Sequence, residues 1–265
     1  MTSRVGYVHG HHSSVLSSHR TRTARDSAAY LLPRLSADQR LLDVGSGPGT
    51  ITCDLAELVG SVAALEMNQE ALALTLAEAQ RRGVAIEGHV GDIHALPLPD
   101  DSFDVVHAHQ VLQHVADPVQ ALAELRRVCR PGGLVAVRDS DYHGFVWTPA
   151  DPLLDRWLEL YDVAARERGG EPDAGRHLQR WAREAGFTEV EASSSTWCWS
   201  TPDKCAWWGD MWAERILHSA IHEQLIAGGH STADELDEIA AAWRRWGQDP
   251  NAWMSLLHGE VLARV

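Results

Sequence analysis

The chain has 265 residues, of which 45% are hydrophobic and 23% charged, with a formal net charge of −14. That length buries a full core for one α/β domain, or one domain with a sizeable insertion. The acidity argues against DNA or RNA as a partner, no run of about 20 apolar residues offers a membrane span, and the N-terminus lacks the apolar core of a secretory signal.

Residues 1–20 are polar and hold His9, His11, His12 and His19. The spacing of Ala24, Ala28, Leu31 and Leu32 predicts a helix over 21–35. A strand over 40–44 is followed by a helix over 50–59, with Ile51, Leu55, Leu58 and Val59 at helical spacing. A strand over 61–66 leads to a helix over 69–82 that closes at Gly83. Further strands are predicted over 85–90 and 103–108. The helix over 118–129 has Asp117 as N-cap and Pro118 in its first turn. Pro131-Gly132-Gly133 turns into a fifth strand over 134–138. Helices over 152–166 and 175–185 precede a strand that starts at 188 and continues toward Trp199. Residues 202–247 read as helical, with amphipathic runs at Trp208, Trp212 and Ile216 and at Leu236, Ile239, Trp243 and Trp246. Residues 253–265 form a closing strand. This rhythm implies right-handed crossovers and an α/β fold with a doubly wound, mostly parallel seven-stranded sheet.

The stretch 41–50 reads as a buried strand that breaks into a glycine-rich turn and opens a helix. Glycine lets a nucleotide-like ligand approach bare backbone. A dinucleotide fingerprint needs a glycine where Thr50 stands. Asp43 lies inside the strand, where a pyrophosphate would not want a carboxylate; a ligand with an amino group and a sulfonium would. Glu66 closes the second strand, where a carboxylate can hold both hydroxyls of a ribose. Gly91-Asp92-Ile93 follows the third, where a carboxylate can accept from an adenine amino group. These ends gather at one edge of a parallel sheet, where open α/β sheets bind ligands.

The segments LLDVGSGPGT (41–50), ALEMN (64–68), GDIHALPLPDDSFDVV (91–106), QVLQHVADP (110–118) and LRRVCRPGGLVAV (125–137) together resemble the class I S-adenosylmethionine-dependent methyltransferases. The likeness covers residues 40–140 and is strongest to the small-molecule branch related to the ubiquinone and menaquinone enzymes. It implies a Rossmann-like methyltransferase fold, S-adenosyl-L-methionine as cofactor and S-adenosyl-L-homocysteine as product. By position, Asp43, Gly45, Gly47 and Gly49 line the methionine side and Glu66 binds the ribose. Met67 packs on the adenine, and Asp92 with Ile93 holds its edge. His109 or Gln110 faces the methionine part. In relatives the segment before the first strand often closes over the cofactor. This gives Tyr7 or a histidine a reach to the methionine carboxylate or substrate, with Arg20 as a further anion partner. The chain then divides into a helical lid (1–36), a cofactor-binding core (37–150) and a substrate side (151–265) with a helical insertion over 202–250.

Methyl transfer is an in-line displacement from a good leaving group. The protein aligns the reactants and excludes water, and a base is needed only if the nucleophile must lose a proton. His11, His109, Asp141 and Tyr142 are the catalytic candidates. Asp139, Asp141, Tyr142 and His143 fall in a polar loop just past the fifth strand, which faces the substrate in doubly wound enzymes. Asp139, His143, Trp197, Trp199 and His258 are the expected substrate contacts. Tryptophan faces suit a flat apolar acceptor or a cation. Trp197 and Trp199 share one face of a strand, whereas Trp208, Trp212, Trp243 and Trp246 are assigned to core. His107 is expected to be a satisfied interior histidine, and His114 to make a structural hydrogen bond. No metal site is expected, because His9, His11 and His12 lack a companion cysteine or a helical HxxxH spacing. The four cysteines, Cys53, Cys129, Cys198 and Cys205, form no CxxC pair and suit reduced thiols in the cytoplasm.

The expected activity is methylation of a small apolar or aromatic acceptor, quinone-like or a secondary metabolite, on an oxygen, nitrogen or carbon atom. A homodimer is compatible with this reading. An isoprenoid-type C-methyltransferase is the alternative; it requires arginines near the pocket, with Arg20, Arg22, Arg25 and Arg138 as candidates. A protein that binds S-adenosylmethionine without turning it over is an alternative from another class.

Overall fold

The computed structural model describes residue 19 and residues 21–265. Seven strands, β1 (Arg40–Val44), β2 (Ser61–Glu66), β3 (Ile86–Val90), β4 (Phe103–His109), β5 (Cys129–Thr148), β6 (Glu189–Trp199) and β7 (Trp253–Arg264), form one sheet in the order β3-β2-β1-β4-β5-β7-β6. Strands β1 to β5 pair in parallel. β7 runs antiparallel between β5 and β6. The chain reverses direction across the sheet at β1, which has β2 on one side and β4 on the other, so a crevice opens at the carboxyl ends of β1 and β4.

The crossover helices are α2 (Thr50–Ala56), α3 (Gln69–Arg82) and α4 (Pro118–Val128). Asn68 caps α3 by accepting from the Ala71 N–H at 2.9 Å, and Gly83 ends it in the left-handed region at φ 71°. Asp117 caps α4 by accepting from the Gln120 N–H at 2.9 Å, with Pro118 in the first turn. Alternation along β1 supplies two cores. Leu41 packs with Ile51 and Leu55 of α2 and with Ala24, Ala28 and Leu31. Leu42 and Val44 pack with Leu122 and Leu125 of α4 and with Leu178 and Trp181 of α6 (Ala174–Glu184).

A third core lies beyond the strand ends. It is built by α5 (Pro152–Glu167), α7 (Pro202–His218), α8 (Ala220–Ala227) and α9 (Ala233–Gln248). Trp157 meets Trp212 edge-on at 4.5 Å and Trp243 at 4.9 Å, so Trp212 and Trp243 are core as expected.

Two elements differ from expectation. The helix predicted over 21–35 shrinks to α1 (Ala24–Ser27), with a capping box from Thr23 and Asp26, and a 3-10 turn over Leu32–Arg34. Pro33 has no N–H to continue a helix and disfavours helical backbone at the residue before it. β5 is far longer than 134–138, because β7 pairs with it from Leu134↔Arg264 to Thr148↔Trp253. Residues 138–143 are therefore strand rather than loop, and their side chains alternate between faces.

Candidate active site

The glycine turn sits where β1 ends. Gly45, Gly47 and Gly49 all have positive φ, at 72°, 55° and 82°. A Cβ on Gly45 would come within 2.4 Å of Val111 Cγ2, and one on Gly49 within 2.8 Å of the Thr75 backbone. A Cβ on Gly47 would meet nothing within 4 Å. Gly45 and Gly49 are thus required by packing, while Gly47 presents bare backbone to open space. Its N–H donates to Glu66 Oε1 at 2.5 Å, which ties the end of β2 to the turn.

Asp43 is 3% exposed and fully engaged. Oδ2 accepts from Thr52 Oγ1 at 2.5 Å, and Oδ1 lies 2.7 Å from His107 Nδ1. The parallel register that pairs Asp43 with His107 brings these side chains together. Facing the carboxylate, Nδ1 carries a proton, which leaves Nε2 as the ring nitrogen turned to the cavity. That Nε2 is buried on the cavity wall with no hydrogen-bond partner among the described residues. His107 is therefore interior, as read from sequence, but only half satisfied.

The cavity measures about 690 Å³, within the ordinary range for a small-molecule site. Asp43, Gly45, Gly47, Glu66, Met67, Asp92, Ile93, His109 and Gln110 line it, as the resemblance implies. Gly49 stands behind the turn. Met67 is 61% exposed. Asp92 Oδ1 accepts from the His94 N–H at 2.9 Å and lies 2.7 Å from His94 Nδ1; the backbone bond leads in holding this carboxyl below its ordinary range.

Beyond β4 the walls turn aromatic. His109, Tyr142, Trp197, Trp208 and Leu256 line this end, with Arg22, Gln113, His114 and Arg215; His19, whose carbonyl accepts from Thr50 Oγ1 at 3.4 Å, lines the wall beside the glycine turn. His109 is 7% exposed, and neither ring nitrogen has a protein partner among the described residues. Burial, then the charges of Arg138 and Arg22, hold its pKa well below the usual histidine value, so the ring is neutral near pH 7. Gln110 has positive φ at 54°, and its Nε2 lies 2.9 Å from His258 Nε2. His258 is fully buried behind the wall, with its ring centroid 4.5 Å from Trp197 and 6.2 Å from His109. It does not line the cavity itself and touches it through Trp197, His109 and Gln110. His114 bonds Gln113 Nε2 at 2.9 Å, and burial pushes it down to about 3.

Besides Gly49 and His258, four further candidates lie off the cavity wall. Asp141 is 1% exposed and clamped by Arg176 of α6 at 2.6 and 2.5 Å. Strand alternation turns Tyr142 to the cavity and Asp141 away from it. Asp139 is buried, accepts from the Gln113 N–H at 3.0 Å, and is pushed up to about 7 by burial. His143 pairs with Asp173 at 2.7 Å, outside the chamber. Trp199 stacks on Trp208 at 3.9 Å, so Trp208 rather than Trp199 joins Trp197 on the wall. Tyr142 stacks on Tyr161 at 4.0 Å, and burial raises its hydroxyl pKa. Tyr7, His11 and Arg20, with His9 and His12, lie outside the described residues. Sequence reading missed Arg215 and His107. The available signals were an arginine inside the apolar stripe of α7 and a histidine in register with Asp43.

The open cradle at Gly47, the acids at successive strand ends and the half-satisfied His107 suit a ligand with a cationic amino acid end and a nucleoside end. Comparison with known proteins agrees. The sequence profile of the family described as "Methyltransferase domain" matches residues 42–137. An uncharacterized methyltransferase of Schizosaccharomyces pombe is 33% identical over 98% of this chain and 97% of its own length. A demethylmenaquinone methyltransferase of Clavibacter sepedonicus is 32% identical over 60% of this chain and 70% of its own. The fold is shared with the YcgJ protein of Bacillus subtilis, at a TM-score of 0.58 and 18% identity, over 89% of this chain and 97% of that one. The chain belongs to the S-adenosylmethionine-dependent methyltransferases.

Proposed function

We propose that the protein methylates a small aromatic or apolar acceptor held against Trp197, Trp208, Tyr142 and Leu256. The observation that carries this reading is one continuous cavity with two chemistries: acids and a glycine turn at one end, aromatic rings at the other. Bound S-adenosylmethionine supplies an electrophilic methyl group on a sulfonium. Asp43 sets the His107 tautomer, and His107 Nε2 is placed to accept from the methionine ammonium. Glu66 keeps one oxygen on the turn and offers the other to a ribose. Met67, Asp92 and Ile93 form the adenine end.

At the aromatic end, the tryptophan faces orient a flat acceptor and exclude water. His109 is the proton acceptor where the nucleophile carries a proton, because its ring is neutral and unpartnered on both nitrogens among the described residues. Tyr142 orients the acceptor. Its raised pKa keeps the hydroxyl protonated, so it does not act as the base. The division into lid, core and substrate side is part of this proposal; His19 and Arg22, which belong to the lid segment, line the cavity.

The test uses S-adenosylmethionine labelled on its methyl group, with purified protein and extract of the source cells. Label in a discrete small product supports the reading and delivers the acceptor. Tight cofactor binding with no transfer to the extract or to purified aromatic acceptors supports a non-catalytic binding protein instead.

A further inference from the structure

Gln110 holds a left-handed backbone at φ 54°, a conformation that is unfavourable for a long side chain unless its surroundings impose it. Two contacts impose it here. The Gln110 N–H donates to the Arg138 carbonyl of β5 at 2.7 Å, and the side-chain Nε2 lies 2.9 Å from His258 Nε2 of β7. Gln110 also stands where the two ends of the cavity meet. The His109 ring before it lies 5.6 Å from that of Trp197, and Val111 after it packs on Gly45 of the glycine turn.

The orientation of the Gln110 amide follows from His258. His258 is fully buried, and its Nδ1 lies 3.2 Å from the Leu256 carbonyl oxygen, which can only accept. Nδ1 therefore carries a proton. Burial, then the charge of Arg138, keep the ring neutral near pH 7, so Nε2 is bare and accepts. The half of the amide that faces it must be the NH2 group, and the carbonyl oxygen is left over. That oxygen accepts from no described residue, on a side chain that lines the cavity.

A sulfonium is positive, whereas the thioether left after methyl transfer is neutral and carries lone pairs. A fixed carbonyl oxygen in a desolvated chamber attracts the first and repels the second. Resting on the methyltransferase reading above, we propose that Gln110 uses its carbonyl oxygen to favour S-adenosylmethionine over S-adenosylhomocysteine, and that His258 is the positioning residue that keeps this oxygen, rather than the NH2 group, turned to the ligand. His258 acts only by accepting from Gln110. Without it the amide can rotate and present a donor to the cation.

Calorimetry with S-adenosylmethionine and S-adenosylhomocysteine, titrated separately and without an acceptor, reads the ratio of the two affinities. Damage to the fold weakens both ligands alike, so the ratio reports the charge preference. Gln110→Asn suits left-handed backbone but withdraws the amide by one methylene. It should shift the ratio about three- to fivefold toward S-adenosylhomocysteine. His258→Leu should shift it by about as much, and the double variant no further. His258→Gln, whose amide oxygen can accept in the same place, should keep part of the wild-type ratio. A ratio unchanged in Gln110→Asn or in His258→Leu, or shifts that add in the double variant, would overturn the proposal. If His258→Leu does not fold, a shift in His258→Gln as large as in Gln110→Asn overturns it instead. Failure of both ligands to bind the wild type removes the methyltransferase assignment. Binding of both, with a ratio that Gln110→Asn leaves alone, removes only the role given to this oxygen.

Discussion

The two ends of the cavity are built in opposite ways. The glycine-turn end comes from short segments at consecutive strand ends, so its residues, Asp43 to Ile93 with His107, keep motif spacing. The aromatic end gathers His109, Tyr142, Trp197, Trp208, Arg215 and Leu256 from β4, β5, β6, α7 and β7. The first is fixed by backbone geometry, through glycine conformations and parallel register. The second is fixed by side-chain packing around a tryptophan core. A backbone-defined site tolerates change in everything except its few special residues. A packing-defined site responds to the size and shape of every side chain that walls it.

The largest effect that would sharpen this contrast is acid sensitivity of the packed end. His109 and His258 are buried neutral with pKa values well below the usual range. The unfolded chain binds more protons below about pH 6.5, so stability present at neutral pH is lost as pH falls, by up to about 1.4 kcal/mol per pH unit for each ring. Urea unfolding at pH 7, 6 and 5 should show this slope, reduced in His258→Gln; a flat profile in the wild type would contradict it. Next, Trp212→Ala should cost about 3–5 kcal/mol of stability by opening a cavity beside Trp157 and Trp243. A cost under 1 kcal/mol, read from denaturant midpoints, would mean the aromatic end is not set by packing.

His109→Gln should lower turnover about 10²-fold for an acceptor that must lose a proton, with cofactor affinity unchanged. An equal loss of both would move His109 to the cofactor end. Asp43→Ala should weaken cofactor binding by about 2 kcal/mol, through loss of the Thr52 and His107 contacts. Calorimetry with S-adenosylhomocysteine decides this, and unchanged affinity would show that the dyad is not part of the cradle. The smallest effect is expected for Asp141→Asn. Turnover should hold, and stability should drop by about 1 kcal/mol, because Arg176 is half exposed and water screens the pair.

The contrast also explains what could be read from sequence. Asp43, Gly45, Gly47, Glu66 and Asp92 were legible because their spacing follows from strands and turns close in the chain. β2 and α3 were legible to the residue, since Gly83 and Asn68 mark clear helix ends. The extent of β5 was not, because Asp139, Ser140, Asp141 and His143 look like loop residues until β7 is known to pair beside them. The same misreading put Asp141 in the catalytic set. Arg215 was visible as a charge in an apolar stripe, but only the packed fold brings that stripe to the cavity. Trp199 and Trp208 traded places for a related reason: alternation along β6 identifies a face, not which ring stacks behind another.

The position of β7 bears on the order in which the chain can assemble. β6 pairs with β7 alone, and β7 bridges it to β5. As the polypeptide emerges during synthesis, β1 to β5 can zip together from neighbours already made, while β6 waits more than fifty residues for the strand that admits it to the sheet. The glycine-turn end of the cavity can therefore form before its aromatic end, whose wall needs Trp197 of β6 and Leu256 of β7.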